Sequence, residues 1–114
     1  MSKRSDRDRL ADMSTYSRHA IDLLGDLDAA ALRADLRSQL AVVRAIELVG
    51  EAAAQVSEVT RPKLPNLPWK AIVAMRNMLI HGYPDIDLNR VVNVVNDELP
   101  DLIAAVEAVL GEDT

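Results

Sequence analysis

The segment Arg76-Asn77-Met78-Leu79-Ile80-His81-Gly82-Tyr83 gathers a fixed cation, an amide, an imidazole and a phenol within two helical turns. An imidazole takes or gives a proton near neutral pH, and a guanidinium holds phosphoryl oxygens with paired N–H donors. Together they are the parts needed to cleave RNA without a metal. A base removes the proton of the ribose hydroxyl beside the scissile phosphate, a cation stabilises the crowded phosphorus, and an acid protonates the leaving oxygen.

The helix that must carry these groups constrains how they meet. Pro68 suits a first helical position and Gly82 a stop, so the pattern predicts a helix from Pro68 to about His81. At about 100° per residue, Pro68, Ile72, Met75 and Leu79 share one side with Arg76 among them. A charge on an apolar side needs a partner, either Glu47 or Glu51 of the preceding helix or a ligand phosphate. A purely structural ion pair is the competing reading. His81 lies opposite, on a stripe with Lys70, Ala74 and Asn77. Asn77 precedes it by four residues, close enough to orient the imidazole. The competing reading of His81 is an exposed histidine favoured by the helix dipole. Arg76 and His81 stand about 140° apart on an ideal helix. They converge on one phosphate only if the last turn deforms or a second copy of the chain contributes, so the spacing points to a dimeric site.

Glycine and proline divide the rest into helical stretches, and nothing reads as a strand. A first helix is expected over Asp6 to Leu24, with Leu10, Met13, Ala20, Leu23 and Leu24 inward and Gly25 as its stop. Asp28 is expected to cap a long second helix reaching about Val59. Its apolar rows are Leu36, Leu40 and Val43, then Val42, Ile46, Val49, Ala53 and Val56. Arg61 to Pro68, with three prolines, is the main loop. Asp87 is expected to cap a fourth helix with the row Leu88, Val92, Val95, Leu99, Leu102 and Val106. Pro100 should kink or break it near Glu98. The expectation is an all-α bundle of four main helices in a single domain over residues 1–114.

The chain has 114 residues, a net charge of −5 and no cysteine. Residues 1–44 carry 8 basic and 7 acidic side chains, residues 45–84 carry 4 and 3, and residues 85–114 carry 1 and 8. RNA, if bound, should therefore meet the first two segments, because clustered cations do most phosphate binding. No run approaches the ~20 apolar residues of a membrane span, and the charged start is not a secretory signal. A cytoplasmic protein is expected.

The motif does not stand alone. Arg44-Ala45-Ile46-Glu47-Leu48-Val49-Gly50-Glu51-Ala52-Ala53, Leu67-Pro68-Trp69, Arg76-Asn77, His81-Gly82-Tyr83 and Asp97-Glu98-Leu99-Pro100 follow in order. From about Leu36 onward the chain resembles the HepT family of HEPN-domain ribonuclease toxins. The resemblance implies a HEPN-type helical bundle and a homodimeric, metal-independent endoribonuclease of a type VII toxin–antitoxin system, with tRNA among the candidate substrates. It implies that Arg76 and His81 are catalytic and meet across the dimer. It also implies a partner, an MntA-like nucleotidyltransferase antitoxin that transfers AMP to Tyr83. Negative charge and bulk added there would repel and block RNA phosphate. A half-buried structural aromatic is the competing reading of Tyr83.

Other residues carry less. Glu47 and Glu51 either pair with Arg76 or bridge to Arg44, and Gly50 and Ala54 beside them would admit a close helix. Trp69 reads as a core anchor rather than a base-stacking platform. His19, Asp26 and Asp28 argue no metal site, and glycine patterns for nucleotide cofactors are absent, so no cofactor or metal is expected. The alternative function is a catalytically silent helical module that docks a nucleotidyltransferase.

Overall fold

The computed structural model describes residues 4–82 and 85–112. Tyr83 and Pro84 lie outside the described residues. Among those described, every regular element is helical.

Helix α1 spans Asp6–Leu24, as its signals predicted. Ser5 Oγ accepts the Asp8 N–H at 3.1 Å while the Asp8 carboxylate accepts the Ser5 N–H at 3.0 Å, a reciprocal cap at the first turn. Gly25 ends the helix with φ 55°, a conformation open to a residue without Cβ. The Asp6 carboxylate also accepts from the Ser57 N–H and the Ser57 and Thr60 hydroxyls. It ties the start of α1 to the chain just past the end of the third helix.

The expected long second helix is two helices. Asp28 caps as predicted, accepting the Ala31 N–H at 2.8 Å, but α2 lasts only over Ala29–Ala34. At Asp35 the backbone is extended, with φ −116° and ψ 90°. Its carboxylate accepts the Ser38 N–H at 3.1 Å and the Ser38 hydroxyl at 2.8 Å. An aspartate followed three residues later by serine offers the chain a second start, and side-chain hydrogen bonding there wins over helical continuation. Helix α3 then runs over Leu36–Gln55 and stops short of Val59. Arg61 closes it, donating from Nε to the Val56 carbonyl at 3.1 Å and from Nη2 to the Ala53 carbonyl at 3.2 Å. Those bonds satisfy carbonyls that a helix end leaves open.

Of the two apolar rows expected on this helix, Val42, Ile46, Val49, Ala53 and Val56 are buried together with Val43. Leu36 and Leu40 are not, at 61% and 48% exposed. They align at helical spacing with the exposed Arg44, on a side of α3 that the apolar core does not cover. Leu23 of α1 is likewise exposed.

The loop contains a single 3-10 turn, Arg61–Lys63, and Pro68 precedes α4, Trp69–His81. After Asp87, which accepts the Arg90 N–H at 3.2 Å, α5 spans Leu88–Asn93 and α6 spans Leu99–Glu112. Between them Val94–Glu98 forms a π turn, and the Leu99 N–H reaches back to the Val94 carbonyl. Helical dihedrals at Val94 and Leu99 carry the chain through. The interruption expected at Pro100 is thus a widened turn just before the proline, a local loosening that accommodates a ring and a missing donor. Leu88, Val95, Leu99, Leu102 and Val106 are buried, with Val92 half-buried beside them.

Helix α1 packs along α3 and α6, α4 packs on α3, and α2 rests against α3 and α5. The α1–α6 contact is pinned by Glu107, which accepts from Ser14 Oγ at 2.7 Å and from Arg18 Nη2 at 2.7 Å. No described helix is long and apolar enough to cross a membrane.

Hydrogen bonds from Arg18 and Ser14 hold the Glu107 carboxyl below its ordinary range, and those from Ser57 and Thr60 do the same for Asp6. Because the folded-state values are lowered, this stabilisation is full above the unfolded carboxylate range and is lost as pH falls through the folded values. The thermal midpoint, followed by circular dichroism, is expected to drop as pH falls below about 5. The double substitution Asp6→Asn, Glu107→Gln should flatten that slope. An unchanged slope would mean that these carboxyls do not set it.

Candidate active site

The site begins with a glycine. Gly50 on α3 faces α4 so closely that a Cβ there would lie 2.2 Å from Arg76 Cβ, 2.9 Å from Arg76 Cγ and 3.2 Å from the Ile72 carbonyl. Only a residue without a side chain permits this approach, which the small residues of α3 suggested in the sequence. Arg76 therefore leaves α4 with its stem pressed on α3 and its guanidinium at the rim of the crevice.

The guanidinium is under-used for a group with five N–H donors. Nη1 donates to Asn77 Oδ1 at 2.7 Å. Nη2 stands 3.8 Å from Glu51 Oε1, at the limit of an ion pair. Nε is buried and has no acceptor among the described residues. Glu51 is also shared, because Arg44 Nη1 sits 3.3 Å from the same oxygen and 3.1 Å from Glu47 Oε1. The Glu47 hydrogen bond leads the effects that raise the Arg44 pKa. Of the two expected partners, Glu47 thus serves Arg44, and Glu51 is divided between Arg44 and Arg76. Exposed pairs of this length stabilise little, so Arg76 keeps donors available for an oxyanion.

His81 is exposed in the last turn of α4. No hydrogen bond or ion pair joins it to Arg76 or to any other described residue. Asn77, expected to steady the imidazole, instead accepts from Arg76. One chain therefore presents the two groups on the same helix without bringing them together, as the wheel geometry anticipated. Met78 and Ile80, exposed on the same helix at 48% and 38%, leave an apolar surface beside the histidine. Tyr83 lies outside the described residues, so its surroundings are not part of this geometry.

Two clefts border the α3–α4 pair. One, of about 640 Å³, opens beside Arg76 and is lined by Arg4, Arg9, Asp12 and Tyr16 at the start of the chain as well as by Glu51 and Gln55 of α3. The other, of about 220 Å³, lies between α4 and the π turn and has a mostly apolar floor. Trp69 packs against the core, donates from Nε1 to the Leu64 carbonyl at 3.2 Å and lies under the Arg61 guanidinium at 5.2 Å, the structural role expected of it. The His19 ring lies tilted against Tyr16, with ring centroids 5.9 Å apart and planes at 60°.

Sequence reasoning missed the contribution of α1 to this region. Arg9, Asp12 and Tyr16 recur at helical spacing, and that signal was present in the sequence. It was obscured because Leu10, Met13, Ala20 and Leu24 define the helix more strongly. The Arg61 clamp was also missed, since nothing in the sequence tells a loop arginine which carbonyls it will meet.

The described elements are all helical, and one helix carries both the arginine and the histidine of the motif. Comparison with known proteins gives the family. The family described as "Ribonuclease HepT-like" matches residues 13–109. "Putative RNase MJ1380" of Methanocaldococcus jannaschii is 35% identical over 109 residues, covering 96% of this chain and all of that protein. "Putative RNase MJ0127" of the same organism is 31% identical over 99% of this chain and 97% of its own length. "Probable ribonuclease HepT" of Thermococcus cleftensis is 29% identical over 88% of this chain and 91% of its own. The chain belongs to the HepT-like ribonuclease family, and its enzymatic class is ribonuclease. No solved structure matches it.

Gly50→Ala should force α3 and α4 apart at Arg76. Overpacking of this kind typically costs about 1–3 kcal/mol, read as a lower urea midpoint. A variant as stable as the parent would show that the crevice relaxes without strain.

Proposed function

We propose that this chain is a metal-independent endoribonuclease toxin whose active site is completed when two copies place Arg76 and His81 on one scissile phosphate. The observation that carries the reading is the state of Arg76. It is held in the α3–α4 crevice with a buried Nε lacking an acceptor, while the histidine side chain of the motif stands exposed on the same helix, both without a hydrogen-bond partner among the described residues. The family match supports the reaction class, and the exposed Met78 and Ile80 beside His81 suit contact with a second copy.

In this reading Arg76 donates to the non-bridging oxygens and stabilises charge as the phosphorus becomes five-coordinate. The ribose 2′-hydroxyl attacks the adjacent phosphorus and loses its proton to a base, and the bond to the leaving 5′-oxygen breaks as that oxygen is protonated. His81 moves one of those protons, and a cyclic phosphate and a 5′-hydroxyl are the products. Asn77 supports the site through its hydrogen bond to Arg76.

Control is assigned to Tyr83, two residues past His81. A nucleotidyltransferase antitoxin would transfer AMP from ATP to the phenol oxygen and release pyrophosphate. The added phosphodiester would then occupy and repel the place RNA phosphate must take.

Purified protein should cleave RNA, tRNA included, in the presence of EDTA, and Arg76→Ala or His81→Ala should lower the rate by about 100-fold or more. Cleavage by His81→Ala at the parental rate would remove the reading. A tight complex with the nucleotidyltransferase but no nuclease activity would favour the silent docking module instead.

Incubation with ATP and the nucleotidyltransferase should add the mass of AMP to the intact protein and abolish cleavage. Tyr83→Phe should take up no AMP and stay active. Labelling of Tyr83→Phe at the parental level would place the control point elsewhere.

A further inference from the structure

The cleft beside Arg76 is positively charged on a chain that is not. Its lining holds three arginines, Arg4, Arg9 and Arg76, against two carboxylates, Asp12 and Glu51. The whole chain carries a net charge of −5. The carboxylates are already engaged. Asp12 pairs with Arg4 at 2.9 Å, and Glu51 is shared between Arg44 and Arg76. The Arg9 side chain has no hydrogen bond or ion pair with a described residue, and its charge helps to lower the pKa of Asp8, a neighbour on its own helix. Tyr16 lies in the same lining, half-buried. Its ring and that of Trp69 both rest partly against the core, but Trp69 lies under the Arg61 guanidinium and does not line the cleft.

A cation beside an aromatic face, continuous with a phosphate-binding arginine, is the pairing by which proteins hold unpaired nucleic acid. The cation meets the backbone, and the ring stacks a base that a duplex would keep hidden. We infer that the α1–α3 cleft is the substrate groove: a single-stranded segment of RNA flanking the scissile phosphate lies along α1, with Arg9 on a backbone phosphate and Tyr16 stacked on a base. This rests on the ribonuclease reading of Arg76. It adds specificity for an unpaired strand and assigns α1 a recognition role outside the Arg–His motif. The antiparallel packing of α1 on α3 makes the groove continuous. Asp6 anchors the start of α1 beside Ser57, so Arg4 and Arg9 come level with the end of α3 at Gln55.

Binding is measured with a short fluorescent RNA bearing 2′-O-methyl groups, which cannot be cleaved, so the result does not depend on activity. Cleavage of the unmodified strand is measured in parallel. Arg9→Gln should reduce the slope of log affinity against log salt by about 0.7, one phosphate contact on a single strand. Arg33→Gln, at an exposed position of α2 outside the cleft, should leave the slope unchanged. Tyr16→Leu should weaken binding by about ten-fold, while Tyr16→Phe, which keeps the stacking face, binds as the parent does. A duplex of the same sequence should bind more weakly than the strand. Circular dichroism confirms that each variant is folded, and Arg9→Gln decides the matter because its side chain lies outside the apolar core. If Arg9→Gln keeps the parental salt slope, or if the protein binds no RNA, the groove assignment falls. Cleavage by the parent with an unchanged Arg9→Gln slope would overturn the groove and leave the nuclease standing. Groove-dependent binding without cleavage would support the groove and overturn the nuclease.

Discussion

The absence of one Cβ organises this molecule. At Gly50 the third and fourth helices come so near that the stem of Arg76 takes the space a side chain would fill. A buried stem leaves the charged head little freedom, so the guanidinium is fixed by packing rather than by a strong ion pair. The surrounding elements maintain that contact. Arg61 closes α3 and lies over Trp69, coupling the end of one helix to the start of the next. Asp6 locks α1 to the chain just beyond α3. The phenylalanine-free, Leu/Val/Ala-rich core between them, with Met13 and Met75 also buried, is unspecific by comparison, and many apolar substitutions would fill it.

How much of this was legible follows from which signals are local. Caps and stops are local: Gly25, Asp28 and Asp87 marked helix boundaries that the structure reproduces. The split at Asp35 was just as local but was overruled by a long apolar pattern, although Asp35 and Ser38 spell a cap as clearly as Ser5 and Asp8 do. Burial was less legible. Leu36 and Leu40 satisfy helical periodicity yet lie outside, because periodicity identifies faces without saying which face meets a neighbour.

The candidate site divides in the same way. That Arg76 and His81 fall on different sides of one helix was readable from their spacing, and the helix bears it out. Gly50 as a point of close approach was readable from its small size. The destination of Asn77 was not, because an amide between two hydrogen-bonding neighbours is decided by rotamers, and here it turned to the arginine. The Arg4, Arg9 and Tyr16 cleft depends on how α1 settles on α3, information that exists only once the chain has folded.

The uneven charge has a kinetic meaning. A polyanion approaching this protein meets an acidic exterior, concentrated in residues 85–114, and one locally positive cleft. On the proposed reading, repulsion by residues 85–114 keeps the strand from wrapping that part of the protein, so few phosphates are engaged at once and few counterions are released. A complex of that kind is brief. An enzyme with a short residence time on its product can return to fresh strand quickly, and it gains turnover by declining to hold tightly what it has already cut.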